Sequence, residues 1–336
     1  MLREALLKEI QSHIPLVERP FLHLAQKLGV EEERVIEELG KLKKERIIRQ
    51  ISPIYDTKVA GYDSSLVAFK VPSGRVEEVA RLVNTHPGVS HNYEREHELN
   101  LWFTLAVPPD GGLSLEETVS LLAKLGEVKD YVILRTLKTY KIGVKLNYEE
   151  LTEREEVEVR ERGRAELSEL EKEVIRASQK DVPLVKRPFR ELAGKVGISE
   201  EQFIGTLREL KEKGVMRRFS AILFHRRAGY RANGMAVWKV PKERIDEVGY
   251  YLASFKSVSH CYRRTTNEHW SYNLFSMIHG KTKEEVLSFV ERVGNELGMK
   301  EWSVLFSTRE FKKKRVELFS EEFYEWEKRY LEVHSY

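Results

Sequence analysis

The chain has 336 residues, enough for two or more domains with cores of their own. Its 57 Lys and Arg against 54 Asp and Glu leave a net charge of +3, which excludes the strong basic bias of a dedicated nucleic-acid binder. A single cysteine, Cys261, excludes an internal disulfide and any multi-cysteine zinc or iron–sulfur site; with no signal peptide and no apolar run near the roughly 20 residues of a membrane span, a reducing cytoplasm is the expected location.

In chain order, apolar periodicity predicts helices over 3–12, 20–28 and 31–44. Pro20 suits a first helical turn and Gly29 a helix end. Leu22, Ala25 and Leu28 fall on one face, as do Val35, Leu39 and Leu42. Residues 46–55 read as an extended wing, so this opening segment has the winged helix-turn-helix pattern. A strand (66–71), helix (74–84), two strands (89–95 and 99–107), helix (114–125) and strand (131–137) follow, the βαββαβ order of a ferredoxin-like domain. The segment 149–164 is densely charged without an apolar stripe and reads as a linker. The pattern then repeats: helices 166–177, 188–196 and 199–213, a wing at 215–223, strand 234–240, helix 245–254, strands 258–264 and 272–279, helix 283–296 and strand 302–307. An amphipathic helix over 319–330 closes the chain.

The predicted domains are winged helix-turn-helix at 1–60 and 166–228, ferredoxin-like at 61–148 and 229–318, a linker at 149–165 and a C-terminal helix at 319–336. The fold class is α+β, a tandem duplication. Sequence identity supports it: P-L-V-E-R-P-F at 15–21 returns as P-L-V-K-R-P-F at 183–189, and V-S-H-N-Y-E-R at 89–95 as V-S-H-C-Y-R-R at 258–264.

A winged helix followed by a ferredoxin-like domain resembles the Lrp/AsnC regulators. A groove-reading helix needs base-reading and phosphate-pairing side chains near its start. Here that helix opens Glu31-Glu32-Glu33, and its copy opens Ser199-Glu200-Glu201. Carboxylates suit a helix N-terminus but repel a phosphate backbone, so no nucleic-acid partner is expected.

Strand alternation puts His91, Tyr93 and Arg95 on one face with Val89, and His260, Tyr262 and Arg264 on one face with Val258. Each row offers a titratable ring, a phenol and a fixed cation, a set that suits a polyanionic ligand. The competing reading is that both rows are packed between two sheets, and repetition does not decide between them. Cys261 alternates away and reads as a packing residue. His97 and His269 flank the following strands, and the second hairpin is four residues longer than the first. His225, Arg226 and Arg227 form a cationic cluster peculiar to the second half. His13, His23, His86, His279 and His334 read as surface or packing histidines. No phosphate-cradling glycine loop, G-x-S-x-G elbow or H-E-x-x-H motif is present.

V-S-H-N-Y-E-R-E-H-E-L-N-L-W-F-T, V-S-H-C-Y-R-R-T-T-N-E-H-W-S-Y-N-L-F-S-M, L-F-H-R-R-A-G-Y and S-T-R-E-F-K-K look like segments of the two subunit types of sirohaem decarboxylase. The resemblance runs half by half over nearly the whole chain and implies a fusion of two proteins, of the haem d1 biosynthesis type. It implies a carboxy-lyase that removes the acetate carboxyl groups on rings C and D of sirohaem, giving 12,18-didecarboxysirohaem for haem d1 or protohaem. It implies no cofactor, since the iron arrives with the tetrapyrrole, and a pseudo-dimer within one chain, with a homodimer of chains still compatible. The catalytic candidates are then His91, His260, His225 and His97. Tyr93, Arg95, Trp102, Arg226, Arg227, Tyr262, Arg263, Arg264, His269 and Trp270 are the candidates to bind its carboxylates and flat ring. A neutral histidine is equally able to ligate the substrate iron. The alternative is a ligand- or haem-sensing regulator of Lrp/AsnC type.

Overall fold

The computed structural model describes residues 1–143, 148–160, 162–224 and 229–334. The first half contains α1 (Leu2–Ser12), α2 (Pro20–Leu28), α3 (Glu32–Lys44), β1 (Ile48–Tyr55), β2 (Asp63–Phe69), α4 (Val76–Asn84), β3 (Val89–Arg95), β4 (Leu101–Val107), α5 (Leu115–Leu125), β5 (Tyr131–Leu134) and β6 (Thr136–Ile142). The second contains α6 (Glu169–Ser178), α7 (Pro188–Val196), α8 (Glu200–Glu212), β7 (Met216–Leu223), β8 (Ala232–Trp238), α9 (Ile245–Ala253), β9 (Val258–Arg264), β10 (Leu274–Gly280), α10 (Lys283–Leu297), β11 (Trp302–Lys313) and α11 (Glu321–His334). Among the described residues no helix is long and apolar enough to cross a membrane.

Two compact units cut across the halves: Met1–Tyr62 with Arg162–Arg226 and Glu317–Glu321, and Asp63–Glu161 with Arg227–Val316 and Glu322–Tyr336. In the first unit the two wings pair with each other, β1 running antiparallel to β7 with Ser52 opposite Ser220. Phe21, Leu24 and Ala25 form the buried stripe of α2, while Leu22 and Leu28 stay half-exposed, a shift of the predicted face. The duplicated heptapeptide explains the acidic starts of α3 and α8. Arg19 donates from Nε (3.0 Å) and Nη2 (2.8 Å) to Glu32, and Arg187 from Nε (3.2 Å) and Nη2 (2.7 Å) to Glu200. Across the halves, Arg187 pairs with Glu18 and Lys186 with Glu33. The helix-start carboxylates are therefore structural ion-pair partners.

The second unit holds one nine-stranded sheet in the order β5-β2-β4-β3-β11-β8-β10-β9-β6. The two outermost strands, β5 and β6, are separated in sequence only by Arg135, so the sheet curls until its edges meet at one residue. Two strands run longer than their periodicity suggests. The strand expected at 131–137 splits at Arg135 and continues as β6, which pairs with β9 of the other half. The strand expected at 302–307 continues to Lys313; its first part pairs with β8 and its second with β3. Each half thus lends a strand to the other.

Helices α4 and α5 cover one part of the sheet, with Val79, Val83, Val119 and Leu122 in the core, and α9 and α10 cover the other, with Val248, Leu252, Phe289 and Val290. The opposite face is a separate interior containing Trp102, Trp270, Phe275, Val237 and Leu305. A β-bulge interrupts both rows near their start. Val89 pairs with Leu105 but His91 with Thr104; Val258 pairs with Ile278 but His260 with Met277. The extra residue, Ser90 or Ser259, reverses the alternation. Val89 and Val258 accordingly lie in the helix-covered cores, not on the histidine face as simple alternation predicts.

Candidate active site

The bulges turn His91, Tyr93 and Arg95 of β3, and His260, Tyr262 and Arg264 of β9, to the interior face; Arg95 is buried, Tyr93, His260, Tyr262 and Arg264 are half-buried, and His91 stays exposed. Tyr93 lies opposite Trp102 and Tyr262 opposite Phe275, both interior residues. Their neighbours point the other way: Asn92 donates to Ala80 O of α4, and Cys261 is buried in the helix-side core, as expected for a packing residue. Burial pushes the Cys261 thiol up, so it is no thiolate. Within each row the groups stack. The His91 and Tyr93 ring centroids are 6.3 Å apart, and those of His260 and Tyr262 6.1 Å. The Arg95 guanidinium sits 5.4 Å from the Tyr93 centroid and Arg264 4.7 Å from that of Tyr262.

The two arginines are anchored alike. Arg95 Nη1 donates to Leu305 O (3.1 Å), while Arg264 Nη1 donates to Leu134 O (3.1 Å) and Thr136 Oγ1 (3.0 Å). Both Nε atoms are shut off from water without an acceptor. Among the described residues, neither guanidinium has a carboxylate at ion-pair distance. Burial lowers both pKa values to about 10, so both stay cationic at neutral pH. Cations held this way in a low-dielectric interior favour an anion brought from outside.

The histidines are held neutral. Burial, then the charges of His91, Arg264 and Lys141, lowers the pKa of His260 to about 4. His91 is lowered by burial and Lys313, with Glu310 opposing. The His91 charge thus acts on His260 across the halves, linking the two rows electrostatically. Burial also pushes Tyr93 and Tyr262 up to about 12, leaving both phenols protonated. The Tyr93 hydroxyl donates to Glu310 at 3.2 Å.

The interior face adds His279, expected from the sequence to be a surface or packing residue. His279 of β10 places Nε2 at 2.6 Å from Ser259 Oγ, which lies 2.8 Å from His260 Nδ1; its Nδ1 is 2.9 Å from Asn233 Oδ1. Burial, then His260 and Lys313, lowers its pKa to about 4. The signal was present: alternation in 272–279 puts Phe275, Met277 and His279 on one face. Glu310 and Lys313 could not be found locally, because they reach the site on a strand that crosses between halves.

Other candidates are dispersed. Trp102 and Trp270 pack edge-to-face at 5.2 Å, and their indole N–H groups donate to Leu99 O and Tyr272 O. They form an apolar end of the interior. His97 packs there against Trp270 at 5.4 Å, its Nδ1 accepting from the Leu99 N–H, rather than joining the histidine row. Arg263 alternates to the helix side, where its charge acts on Tyr140 and Asp246. His269 stands in solvent at the hairpin tip beside Glu268, 77% exposed. The longer hairpin carries it past the sheet. His225, Arg226 and Arg227 lie outside the described residues. Of the histidines read as packing residues, His86 is buried against Trp326 (4.5 Å) and Phe323 (5.6 Å). Two cavities of about 790 and 460 Å³ lie in the winged-helix unit, and none of the row residues lines either.

A winged helix followed by an interior-forming αβ domain, repeated in one chain, defines an Lrp/AsnC-like protein. Residues 59–141 and 227–312 match the AsnC-like ligand binding domain. Residues 3–49 and 171–217 match the siroheme decarboxylase NirDL-like HTH domain. A siroheme decarboxylase of Hydrogenobacter thermophilus is 52% identical over 96% of both chains. The siroheme decarboxylase beta subunit of Methanosarcina barkeri is 39% identical over 43% of this chain and 95% of its own length, the proportion expected of one half. The crystal structure of the siroheme decarboxylase NirDL in co-complex with an iron-uroporphyrin III analogue superposes with a TM-score of 0.83, at 46% identity and 99% coverage of both chains. The chain belongs to the siroheme decarboxylase family.

Proposed function

We infer that the chain is a sirohaem decarboxylase, a carbon–carbon lyase that removes the acetate carboxyl groups on rings C and D to give 12,18-didecarboxysirohaem. The observation that carries this reading is the pair of guanidiniums, Arg95 and Arg264, turned to the interior with no carboxylate on either among the described residues. Sirohaem brings a flat apolar ring bearing many carboxylates. Arginine grips a carboxylate bidentately, and tyrosine and tryptophan faces suit the macrocycle.

The reaction divides the labour between the residue types. A guanidinium against a leaving carboxylate would stabilise the ground state, so Arg95 and Arg264 suit the arms that stay. The departing acetate belongs beside His91 and His260, where loss of solvent favours neutral carbon dioxide over carboxylate. The carbon–carbon bond breaks, carbon dioxide leaves, and the electron pair stays on the former methylene carbon, spread into the ring. An imidazole that has taken up a proton from solvent, its charge supported by the carboxylates of the bound pigment, releases it to complete the methyl group, a step that contributes roughly 10²–10⁴ in rate. Each carboxyl consumes one proton and no electrons, so the reading needs no organic cofactor; the iron travels with the substrate. A duplex-reading role finds no support at α3 or α8, whose leading carboxylates occupy the heptapeptide arginines. Strand exchange between the halves supports a pseudo-dimer within one chain.

The test is anaerobic incubation with sirohaem, followed by mass spectrometry of the pigment. The expected product has lost two carbon dioxide units, and His260→Ala slows its formation by about 10² or more. Unchanged pigment with the wild-type protein would refute the reading.

A further inference from the structure

The two histidine rows are not equivalent. His91 has Ser90 Oγ on its Nδ1 at 2.9 Å. His260 has a longer chain behind it: Ser259 Oγ at 2.8 Å, then His279 Nε2 at 2.6 Å, then from His279 Nδ1 to Asn233 Oδ1 at 2.9 Å. In the first half, Ala106 holds the register position of His279 and Ser64 that of Asn233: Ser64 faces Ala106 just as Asn233 faces His279. The chain therefore belongs to the second half alone.

We propose that His279 is a positioning residue that, through Ser259, fixes the tautomer and orientation of His260, making His260 the proton donor of the pair. The inference rests on the sirohaem decarboxylase reading above. A serine hydroxyl alone rotates and accepts or donates with equal ease, so Ser90 leaves His91 free to hold either tautomer. In the second half the amide carbonyl of Asn233 accepts a hydrogen bond from His279 Nδ1–H. His279 Nε2 then accepts the Ser259 hydroxyl, whose oxygen accepts from His260 Nδ1. Each group has one role left, and His260 is held with its proton on Nδ1 and its Nε2 free. Nε2 takes a further proton from solvent once the carboxylates of the bound pigment favour the charged ring, and it is this proton that His260 releases to carbon, with the ring staying where Ser259 holds it. The charges that act on this pair, Arg264 and Lys141 on His260 and Lys313 on His279, are positive, so they do not trap that proton on the ring.

The imidazole nitrogens of the ligand-free protein, read by ¹⁵N NMR, test this without substrate. His260 is expected as the Nδ1–H tautomer at neutral pH in the wild type, and as a tautomer mixture in His279→Ala. With sirohaem, His279→Ala and Ser259→Ala are expected to lower kcat roughly tenfold to a hundredfold with KM and pigment affinity unchanged, whereas Ser259→Thr, which keeps the hydroxyl, retains the wild-type rate. An unaltered His260 tautomer and an unaltered kcat in His279→Ala would overturn the proposal. A tautomer shift in His279→Ala, together with a wild-type protein that leaves sirohaem intact, would instead overturn the assigned reaction and leave the coupling standing.

Discussion

Arg95 and Arg264 carry a chemical demand that no carboxylate among the described residues meets. Removing an uncompensated buried cation relieves the fold, so Arg95→Met and Arg264→Met are expected to melt at or above the wild-type temperature. Each loses charge-assisted hydrogen bonds to a bound carboxylate, worth about 1.5–3 kcal/mol, and tetrapyrrole affinity falls roughly tenfold to a hundredfold. Soret titration alongside thermal melting separates the outcomes: unchanged affinity with a lower melting temperature would make the arginines structural. Most of this was legible in two seven-residue strands, because side-chain alternation is local. The bulges were not. An extra residue in a strand leaves no mark in hydrophobic pattern, and it moved Val89 and Val258 to the other face. Arg263 and His269 show the opposite limit: residue type suggested an anion site, while strand parity and hairpin length carried them away from it.

The elements that decide the site's integrity are the ones exchanged between halves. β6 is held on the second half by Tyr140, whose hydroxyl donates to Asp246 of α9 at 2.6 Å. A Cβ on Gly249 would meet the Tyr140 ring at 2.6 Å. Gly249→Ala is therefore expected to cost about 1–3 kcal/mol in denaturant unfolding by expelling Tyr140; an unchanged midpoint would show that β6 is secured elsewhere. α11 is docked on His86, whose pKa burial lowers to about 3. Because the unfolded chain binds this proton near pH 6.5 and the folded one does not, stability is full above pH 6.5 and falls as pH drops towards 3, by up to about 1.4 kcal/mol per pH unit. His86→Phe, which copies Phe255 of the second half, is expected to flatten this acid limb, read from Trp326 fluorescence. An equally steep limb in the variant would exclude His86 as its source. Helix positions were readable from period and from Pro20 and Gly29. The continuations into β6 and β11 were not, since their partners lie in the other half and nothing local marks a strand that changes neighbours.

At the scale of the molecule, duplication was plain in the sequence, but the grouping was not. Both winged helices fall in one compact unit and both αβ domains in the other, because β1 pairs with β7 and β11 joins β3 to β8. A chain cut in the charged segment after Glu158 is expected to purify as a one-to-one complex of co-expressed halves that still binds pigment, while either half alone aggregates from unpaired strand edges. Two independently folded, monomeric halves would contradict the strand exchange. The position of the bound pigment is decisive. A crystal structure with an iron uroporphyrin should place its carboxylates within hydrogen-bond distance of the Arg95 and Arg264 guanidiniums, with an acetate arm against His260. A pigment seated in the winged-helix unit, with both arginines left in contact with protein alone, would contradict it.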